Sequence, residues 1–282
     1  MRLNRSKLVG FAGLNKSYFS LFTSPFLALL TTLLVGVSAP AEVFSLGVYF
    51  LLATAFLNSY NNVMDVKSDA LTKQGFPIPA GVITSAEAMA YSTSLAMLSV
   101  IVALRTLFVQ IAAGAMLLLD LFLAFLYSTP KVRLKRFPVV KGSTLVSHTF
   151  LIPFIVAVLL TERNLLSYSM VIPPIFLMGL GIHTVQDIGD VRGDRFMGDK
   201  TIPLLFGTKK AVVFALSLVL SALMYVVFLE VQLKTLAILS LLAQTAMVSL
   251  LLFREELWKN VFWGSSAVSF LTLASLLYRC CV

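Results

Sequence analysis

Two acidic clusters occupy matching positions in the two halves of this apolar chain. Their side chains are Asn61, Asp65 and Asp69 in the first cluster, and Asp187, Asp190 and Asp194 in the second. On a helix, residues three, four and seven positions apart share one face, so successive carboxylates stand roughly 6 Å apart along the axis. Two like charges at that separation repel by about 3 kcal/mol at an effective dielectric constant of about 20. The spacing therefore predicts a bound cation. Mg²⁺, whose ligands are carboxylates, waters and substrate phosphates, makes each cluster a candidate diphosphate site.

Basic residues accompany both clusters. The segment YSTPKVRLKRFP places Lys131, Arg133 and Lys135 at alternating positions, and Arg192 and Lys200 are interleaved with or follow the second cluster. Cationic groups and a metal ion aimed at a departing diphosphate promote its ionisation by neutralising the charge that develops. These residues are therefore candidate ligands of the diphosphate.

The composition is that of a membrane protein. Of 282 residues, 59% are hydrophobic and 12% are charged, with a mean hydropathy of +0.93, whereas soluble domains contain about 25% charged residues. Apolar stretches of about 20 residues, the length that a bilayer core requires, can be marked off along the whole chain. There are nine of them, at about 19–38, 43–62, 85–104, 107–128, 143–161, 166–186, 209–229, 234–253 and 261–279.

We therefore expect an all-α membrane protein with nine transmembrane helices around a central cavity, forming a single domain over residues 1–282. Polar cap loops are expected at about 63–84, 129–142 and 187–208. Thr84 and Glu87 have the spacing of a capping box, which predicts a helix start at Ser85. The 22 Phe and 10 Met residues suit either plain packing or a groove for a long hydrocarbon tail.

The distribution of basic residues predicts the orientation. Most of the 22 Lys and Arg residues fall in the N-terminal arm and in the loops after the second, fourth, sixth and eighth spans. The positive-inside rule then places the N-terminus and both acidic clusters on the cytoplasmic side of a cell membrane. The net charge of +9 mostly reflects this bias, and no nucleic-acid-binding module or obligate protein partner is evident.

Three segments resemble, in order and spacing, the signatures of the UbiA superfamily of intramembrane prenyltransferases. They are NSYNNVMDVKSDALTKQGFPIPAG, YSTPKVRLKRFP and QDIGDVRGDRFMGDKTIPLLFG. The resemblance covers essentially the whole chain. It implies nine helices and the Mg²⁺-dependent transfer of a prenyl group from a polyprenyl diphosphate to a membrane-soluble acceptor.

The resemblance also assigns roles to residues of this chain. It implies catalytic roles for Asp65, Asp69, Asp190 and Asp194. Metal binding is implied for these four together with Asn61 and Asp187. The residues implied to contact the substrates are Asn61, Tyr127, Arg133, Lys135 and Asp187. Arg192, Lys200 and His183 are further candidate substrate ligands because of their positions beside the second cluster.

The acceptor is left open. DIGDVRGD followed by GDKTIPLLFG is most similar to archaeal digeranylgeranylglyceryl phosphate synthases, which implies geranylgeranyl transfer to geranylgeranylglyceryl phosphate in membrane lipid biosynthesis. The chain departs from that pattern at Phe76, where an arginine is usual, and at Ile182-His183, where an Arg-Glu pair is usual. An aromatic or tetrapyrrole acceptor of a quinone, chlorophyll or haem pathway is the alternative. A membrane transporter is the alternative of another class, although its charges would be expected near the bilayer midplane rather than at one interface.

Three polar residues lie inside predicted spans. Asp120 is a functional candidate by default because an intramembrane carboxylate is costly, and hydrogen bonding to a neighbouring helix is its alternative role. His183 lies one turn before Asp187, so it is expected either to face the substrates or to pack between helices. His148 is expected to make a satisfied polar contact.

Overall fold

The computed structural model describes residues 5–15, 18–161, 163–231 and 233–278. In this part of the chain all regular secondary structure is helical, so the predicted all-α class is confirmed. Position 279, the end of the last predicted span, lies outside the described residues.

The α-helices are numbered in chain order. They are α1 (Arg5–Gly13), α2 (Tyr18–Val35), α3 (Pro40–Met64), α4 (Val66–Thr72), α5 (Ser85–Val109), α6 (Ile111–Ser128), α7 (Pro138–Val146), α8 (Ile152–Leu160), α9 (Ile172–Met197), α10 (Ile202–Phe206), α11 (Thr208–Val227), α12 (Lys234–Leu250) and α13 (Trp258–Leu277). A π-helical turn, Ser147–Leu151, joins α7 to α8. Short 3₁₀ segments occupy Leu134–Arg136, Leu165–Val171 and Glu255–Leu257.

Seven helical segments among the described residues are long and apolar enough to cross a membrane. They are Pro40–Met64, Ser85–Val109, Ile111–Ser128, Pro138–Leu160, Leu165–Met197, Thr208–Val227 and Glu255–Leu277. The first and eighth predicted spans correspond to the shorter apolar helices Leu21–Val35 and Lys234–Leu250. The multi-pass architecture is therefore confirmed, and the count of nine crossings stays a prediction.

Two of the predicted cap loops are largely helical. The sequence placed a loop at 187–208, but α9 continues to Met197 and ends where Gly198 adopts a left-handed φ of +71°, the usual conformation at a helix C-terminus. The predicted loop at 129–142 becomes helical at Pro138, which stands at the start of α7, a position where its missing N–H is tolerated. The predicted helix start at Ser85 is confirmed: the Thr84 hydroxyl accepts a hydrogen bond from the Glu87 backbone N–H at 3.1 Å.

Buried apolar side chains form two main clusters. One is centred on α9, α11, α12 and α13, and includes Val185, Val219 and Leu273. The other is centred on α3, α5 and α6, and includes Phe50 and Leu117. Helices of both groups contribute polar side chains to a single cavity, so each half of the bundle supplies one acidic motif to the same space.

The turn between α5 and α6 depends on a glycine. A Cβ added to Gly114 would lie 2.3 Å from the Leu107 backbone nitrogen and Cα, so backbone rather than a flexible side chain blocks the space. The Gln110 side chain caps α6 by accepting from the Ala113 N–H at 2.7 Å, which holds this turn in place.

We predict that Gly114→Ala destabilises the protein by about 1–3 kcal/mol, the usual range for overpacking. Thermal unfolding of the protein in detergent, monitored by fluorescence that does not depend on thiols, measures the shift in melting temperature. Gly75→Ala is the matched control because a Cβ there meets no atom within 4 Å. Equal melting temperatures for the two variants would contradict the close approach of α5 and α6.

Candidate active site

A cavity of about 680 Å³ is lined by residues of α2, α3, α4, α6, α7, α9 and α13. Most of the residues predicted from the sequence lie on its wall. Those on the wall are Asn61, Asp65, Asp69, Tyr127, Arg133, Lys135, His183, Asp190, Arg192 and Asp194. The charged members of this set come from the ends of helices and from the segment that precedes α7, so they lie together at one polar end of the cavity.

The two acidic clusters of the sequence, from here on the first and second motif, converge on this polar end of the cavity. Lys73 Nζ lies 3.4 Å from Asp69 Oδ1 of the first motif and 3.8 Å from Asp190 Oδ1 of the second. The helices that carry the motifs are in close contact, because a Cβ added to Gly193 would lie 2.9 Å from Ser68 Oγ. This polar end of the cavity, from here on the chamber, therefore holds carboxylates from both halves of the chain.

The first motif is tied to a buried lysine. The Lys135 ammonium donates hydrogen bonds to Asn61 Oδ1 and Asp65 Oδ2, and the Ser128 hydroxyl donates to the same Asn61 oxygen at 2.8 Å. Burial lowers the pKa of Lys135 because it disfavours the ammonium form, although Asp65 acts in the opposite direction. The Lys135 ammonium also lies 5.8 Å from the centre of the Tyr127 ring, so the predicted Tyr127 lies beside this cation.

Arg133 joins the first motif to an aspartate that sequence reasoning did not assign to the site. Its Nε and Nη2 donate to the two Asp199 carboxylate oxygens at 2.7 and 2.8 Å, and its Nη1 lies 3.2 Å from Asp65 Oδ1. The Arg133 backbone adopts a left-handed φ of +42°, a conformation that costs a non-glycine residue about 1–3 kcal/mol. The two-pronged contact with Asp199 holds this strained residue against the chamber.

The second motif is tied to Lys141, which lies in the predicted loop 129–142 and was not a predicted site residue. Lys141 Nζ lies 2.7 Å from Asp187 Oδ1 and 3.1 Å from Asp194 Oδ2, and all three side chains are largely buried. The sequence did contain a signal, since Pro138 is a common first residue of a helix and would have placed Lys141 on a helical face. Asp187 does not line the cavity, but it contacts Lys141, which does.

Burial and neighbouring charges shift the pKa values of Asp69 and Lys73, the ion pair that lies between the two motifs. Burial raises the pKa of Asp69 because it disfavours the carboxylate form, and Lys73 opposes that shift. Burial alone would lower the pKa of Lys73, but the nearby carboxylates of Asp190 and Asp69 outweigh it and raise the pKa. Lys73 therefore stays protonated between the two motifs.

The structure places Arg192 and Lys200, two predicted substrate ligands, in different surroundings. Arg192 is exposed and lies on the cavity wall. Lys200 is exposed but does not line the cavity, and its backbone N–H donates to the Arg136 carbonyl at 2.9 Å. The structure therefore does not bring the Lys200 side chain to the site, since the chain turns away after the buried Asp199.

The oxygen donors of the chamber fit Mg²⁺ that is shared with a phosphate ligand. Within the described residues, no group of three or more His, Cys, Asp and Glu side chains is arranged to hold a metal alone. Mg²⁺ does not require such a cage, because it commonly uses one or two carboxylates together with waters and substrate phosphates. Asp65, Asp69, Asp190 and Asp194 face one space and offer the hard oxygen ligands that this cation prefers.

Helix α13 supplies an aromatic wall that the sequence did not single out. A Cβ added to Gly189 would lie 2.2 Å from the Trp258 ring, so the indole packs directly on the backbone of α9 between two acidic residues. Phe262 and Trp263 follow, with ring centroids 4.6 Å apart, and all three aromatic residues line the cavity. This wall is chemically suited to a hydrocarbon chain next to the polar end.

Comparison with protein families agrees with these features. Residues 18–275 match the model of the UbiA prenyltransferase family. The chain belongs to this family.

Several curated members of the family are similar to the chain. Digeranylgeranylglyceryl phosphate synthase of Methanothrix thermoacetophila is 30% identical over 70% of this chain and 69% of its own length. The Methanosphaera stadtmanae enzyme of the same name is 28% identical over 71% and 72%. The Pyrococcus furiosus enzyme of that name is 28% identical over 56% of this chain, and the matched segment spans only 54% of that relative.

Solved structures show the same fold. A UbiA homologue from Archaeoglobus fulgidus bound to DMAPP and Mg²⁺ superposes with a TM-score of 0.72 at 17% identity, covering 96% of this chain and 99% of the other. A structure of a digeranylgeranylglyceryl phosphate synthase superposes with a TM-score of 0.67 at 19% identity, covering 97% and 98%. At these identities the likeness establishes the UbiA fold for this chain. The family match and the apolar helices make the chain a multi-pass membrane protein.

We predict that Lys141→Met strongly destabilises this family member, because it leaves Asp187 and Asp194 buried without their counterion. Removing one partner of a buried ion pair costs about 3–5 kcal/mol, which thermal unfolding in detergent can measure. Lys131→Met is the control, since Lys131 is exposed and such surface changes stay within about 0.5 kcal/mol. Equal effects of the two substitutions would contradict the buried bridge.

Proposed function

We propose that the protein catalyses the Mg²⁺-dependent transfer of a geranylgeranyl group from its diphosphate to geranylgeranylglyceryl phosphate, a step of membrane lipid biosynthesis. The observation that carries the proposal is the convergence of two acidic motifs on one chamber, bridged by Lys73 between Asp69 and Asp190. The similarity to relatives named digeranylgeranylglyceryl phosphate synthase supports it. So does the presence of DMAPP or GPP with Mg²⁺ in structures of UbiA homologues.

In this proposal the polar end of the cavity holds the diphosphate. The residues that would hold Mg²⁺ are those of the two motifs that line the cavity, Asn61, Asp65, Asp69, Asp190 and Asp194, with Asp187 behind them on Lys141. The bound ion would neutralise negative charge on the leaving diphosphate. Lys135, Arg133 and Lys73 lie among these groups and donate hydrogen bonds to phosphate oxygens. The prenyl chain runs along the aromatic wall of α13.

The reaction breaks the bond between the allylic carbon and the diphosphate oxygen, and the diphosphate leaves with the electron pair. The acceptor hydroxyl then forms a bond to the allylic carbon through its oxygen and releases its proton. Fixed cationic donors at the polar end favour the departure because they are already oriented towards the charge that develops there. The apolar remainder of the cavity limits capture of the allylic cation by water.

Two cations on the cavity wall support an acceptor that carries a phosphate. Arg192 and Lys259 are exposed and line the cavity, and no acidic group among the described residues forms an ion pair with either. The other cavity-lining lysines and arginines are already paired with aspartates. Arg192 and Lys259 therefore offer positive charge to a second anionic group, which an uncharged aromatic ring would not use.

The protein is proposed to act in the cell membrane, with its N-terminus and the polar end of the cavity on the cytoplasmic side. The excess of Lys and Arg in the N-terminal arm and in alternate loops supports this orientation. Water-soluble prenyl diphosphate headgroups and Mg²⁺ would reach the polar end from that side.

The acceptor is tested with purified protein, geranylgeranyl diphosphate and Mg²⁺, offering geranylgeranylglyceryl phosphate or aromatic acceptors and reading the products by mass spectrometry. We expect a diether phosphate product and none when Mg²⁺ is removed by a chelator. The double substitution Arg192→Ala with Lys259→Ala is expected to raise KM for the phosphate acceptor more than KM for the prenyl diphosphate. Exclusive prenylation of an aromatic ring would contradict the proposed acceptor. Solute counterflow in liposomes without any prenyl transfer would favour a transporter.

We predict that Asp65→Asn and Asp190→Asn each lower the rate of prenyl transfer by about 100-fold or more, the usual effect of losing one contact that stabilises transition-state charge. Each substitution keeps the size of the side chain and removes its charge. Glu256→Gln is the control because Glu256 is exposed and pairs only with the nearby Arg254 among the described residues. Full activity in either aspartate variant would contradict a joint role of the two motifs.

A further inference from the structure

A buried polar network lies on the cavity wall, away from the acidic motifs. His148 Nδ1 lies 3.0 and 3.1 Å from the two Asp120 carboxylate oxygens, and His148 Nε2 lies 2.9 Å from Thr54 Oγ1. The Tyr49 hydroxyl is 3.0 Å from the same carboxylate. Asp120, His148 and Thr54 are 1%, 4% and 3% exposed, so the expected satisfied contact of His148 is found and the partner of Asp120 is identified.

The hydrogen bonds of this network all point the same way, from Thr54 through His148 to Asp120. The Asp120 carboxylate can only accept, so His148 donates its Nδ1–H to it. The other ring nitrogen, Nε2, then carries a lone pair and accepts the hydroxyl hydrogen of Thr54. Thr54 keeps oxygen lone pairs that can accept a hydrogen bond from a ligand, and both Thr54 and His148 line the cavity.

The network lines the same cavity as the proposed diphosphate site, about two helical turns from it. Thr54 is seven residues before Asn61 on α3, and His148, its hydrogen-bond partner, is seven residues after Lys141 in the segment that joins α7 to α8. Two helical turns correspond to about 10 Å, so both residues stand below the proposed diphosphate site, towards the apolar part of the cavity. His148 also lies in the π-helical turn Ser147–Leu151, and such turns are frequent at functional sites.

Packing alone does not require a carboxylate at this depth. An ionisable residue inside a membrane is costly and marks a functional site by default. Elsewhere in the described bundle, a buried polar contact between α12 and α13 uses only the uncharged Ser240, Gln244 and Thr272. The Asp120–His148 pair differs because it is ionisable and reaches the substrate cavity through Thr54.

His183, the other histidine on the wall, is less suited to holding a proton. Its Nδ1 pairs with the uncharged Gln186 Oε1 at 3.0 Å, and its Nε2 is buried without a partner. No carboxylate contacts its ring among the described residues, so nothing would stabilise the imidazolium form there.

We propose that Thr54, His148 and Asp120 form the relay that accepts the proton of the acceptor hydroxyl. This inference rests on the proposed function. As the acceptor oxygen bonds to the allylic carbon, its proton moves to Thr54 Oγ1 and the Thr54 proton moves to His148 Nε2. The Asp120 carboxylate holds the resulting imidazolium, and the diphosphate has left with the electron pair of the broken carbon–oxygen bond. Thr54 and His148 are catalytic residues, and Asp120 is a positioning residue.

The test compares four substitutions in the network and one control in prenyl transfer to a hydroxyl acceptor. His148→Gln is expected to lower kcat by about 100-fold, the lower range for general base catalysis, with little change in KM for the prenyl diphosphate. Thr54→Val is expected to lower kcat as well, whereas Thr54→Ser keeps the hydroxyl and most of the rate. Asp120→Asn is expected to lower kcat because it no longer favours the Nδ1–H tautomer. Thr272→Val, which removes a buried hydroxyl away from the cavity, is expected to leave kcat unchanged.

A second measurement separates proton transfer from bond cleavage. With ¹⁸O in the bridging position of the prenyl diphosphate, reversible ionisation moves the label into non-bridging positions, which mass spectrometry of fragments can follow. We expect His148→Gln to exchange the label at close to the wild-type rate while ether formation falls. Exchange and ether formation falling together in a folded variant, or ether formation staying unchanged, would overturn the relay.

The two proposals fail in different ways. A wild-type protein that neither exchanges the label nor forms an ether with Mg²⁺ present would overturn the proposed function, and the relay with it. Where His148→Gln does not fold, as judged by its melting temperature, the Thr54 pair decides. Valine and serine each differ from threonine by one group, and equal kcat values for them would exclude the hydroxyl from proton transfer.

Discussion

The balance of buried charge at the polar end of the bundle is the constraint on which this structure depends. Asp69, Asp187 and Asp199 are each less than a tenth exposed, and isolated carboxylates in such places would be strongly unfavourable. Each is matched by a cation, Asp69 by the neighbouring Lys73, Asp187 by Lys141 and Asp199 by Arg133. The last two pairs join separate parts of the chain. Lys73 joins the two motifs, and Lys141 joins α7 to α9. The same arrangement keeps positive charge ready for a polyanionic ligand.

Close helix contact is the second condition, and glycine provides it. The chamber exists because α4 approaches α9 at Gly193 and Trp258 of α13 lies on Gly189. A larger side chain at either position would move one acidic motif away from the other or displace the aromatic wall. Gly189 and Gly193 therefore determine how closely α9 approaches α13 and α4. Helix α9 continues through both residues without a break.

The composition and apolar stretches were sufficient to predict the membrane class, and the three ordered motifs to predict the family and most residues of the chamber. Helix ends were predicted less well, because a charged segment such as 187–197 has no apolar period and reads as a loop, although its backbone continues the hydrogen bonding of α9. Lys141 falls within the predicted loop 129–142 because the apolar stretch that follows begins only at about residue 143. Asp199 was not assigned to the site and Lys200 was, since neighbouring polar residues on an irregular segment give no sign of which one points inward.

The sequence by itself determined which chemical groups are present and how they are spaced within each motif, because spacing along a helix decides which side chains share a face. It also determined that the chain must be embedded in lipid. Only the tertiary structure decided which cation meets which carboxylate, that Thr54, His148 and Asp120 form one line of hydrogen bonds, and that Arg192 faces the cavity while Lys200 does not. Such contacts join residues tens of positions apart, and they arise from helix packing that no local pattern of residues specifies.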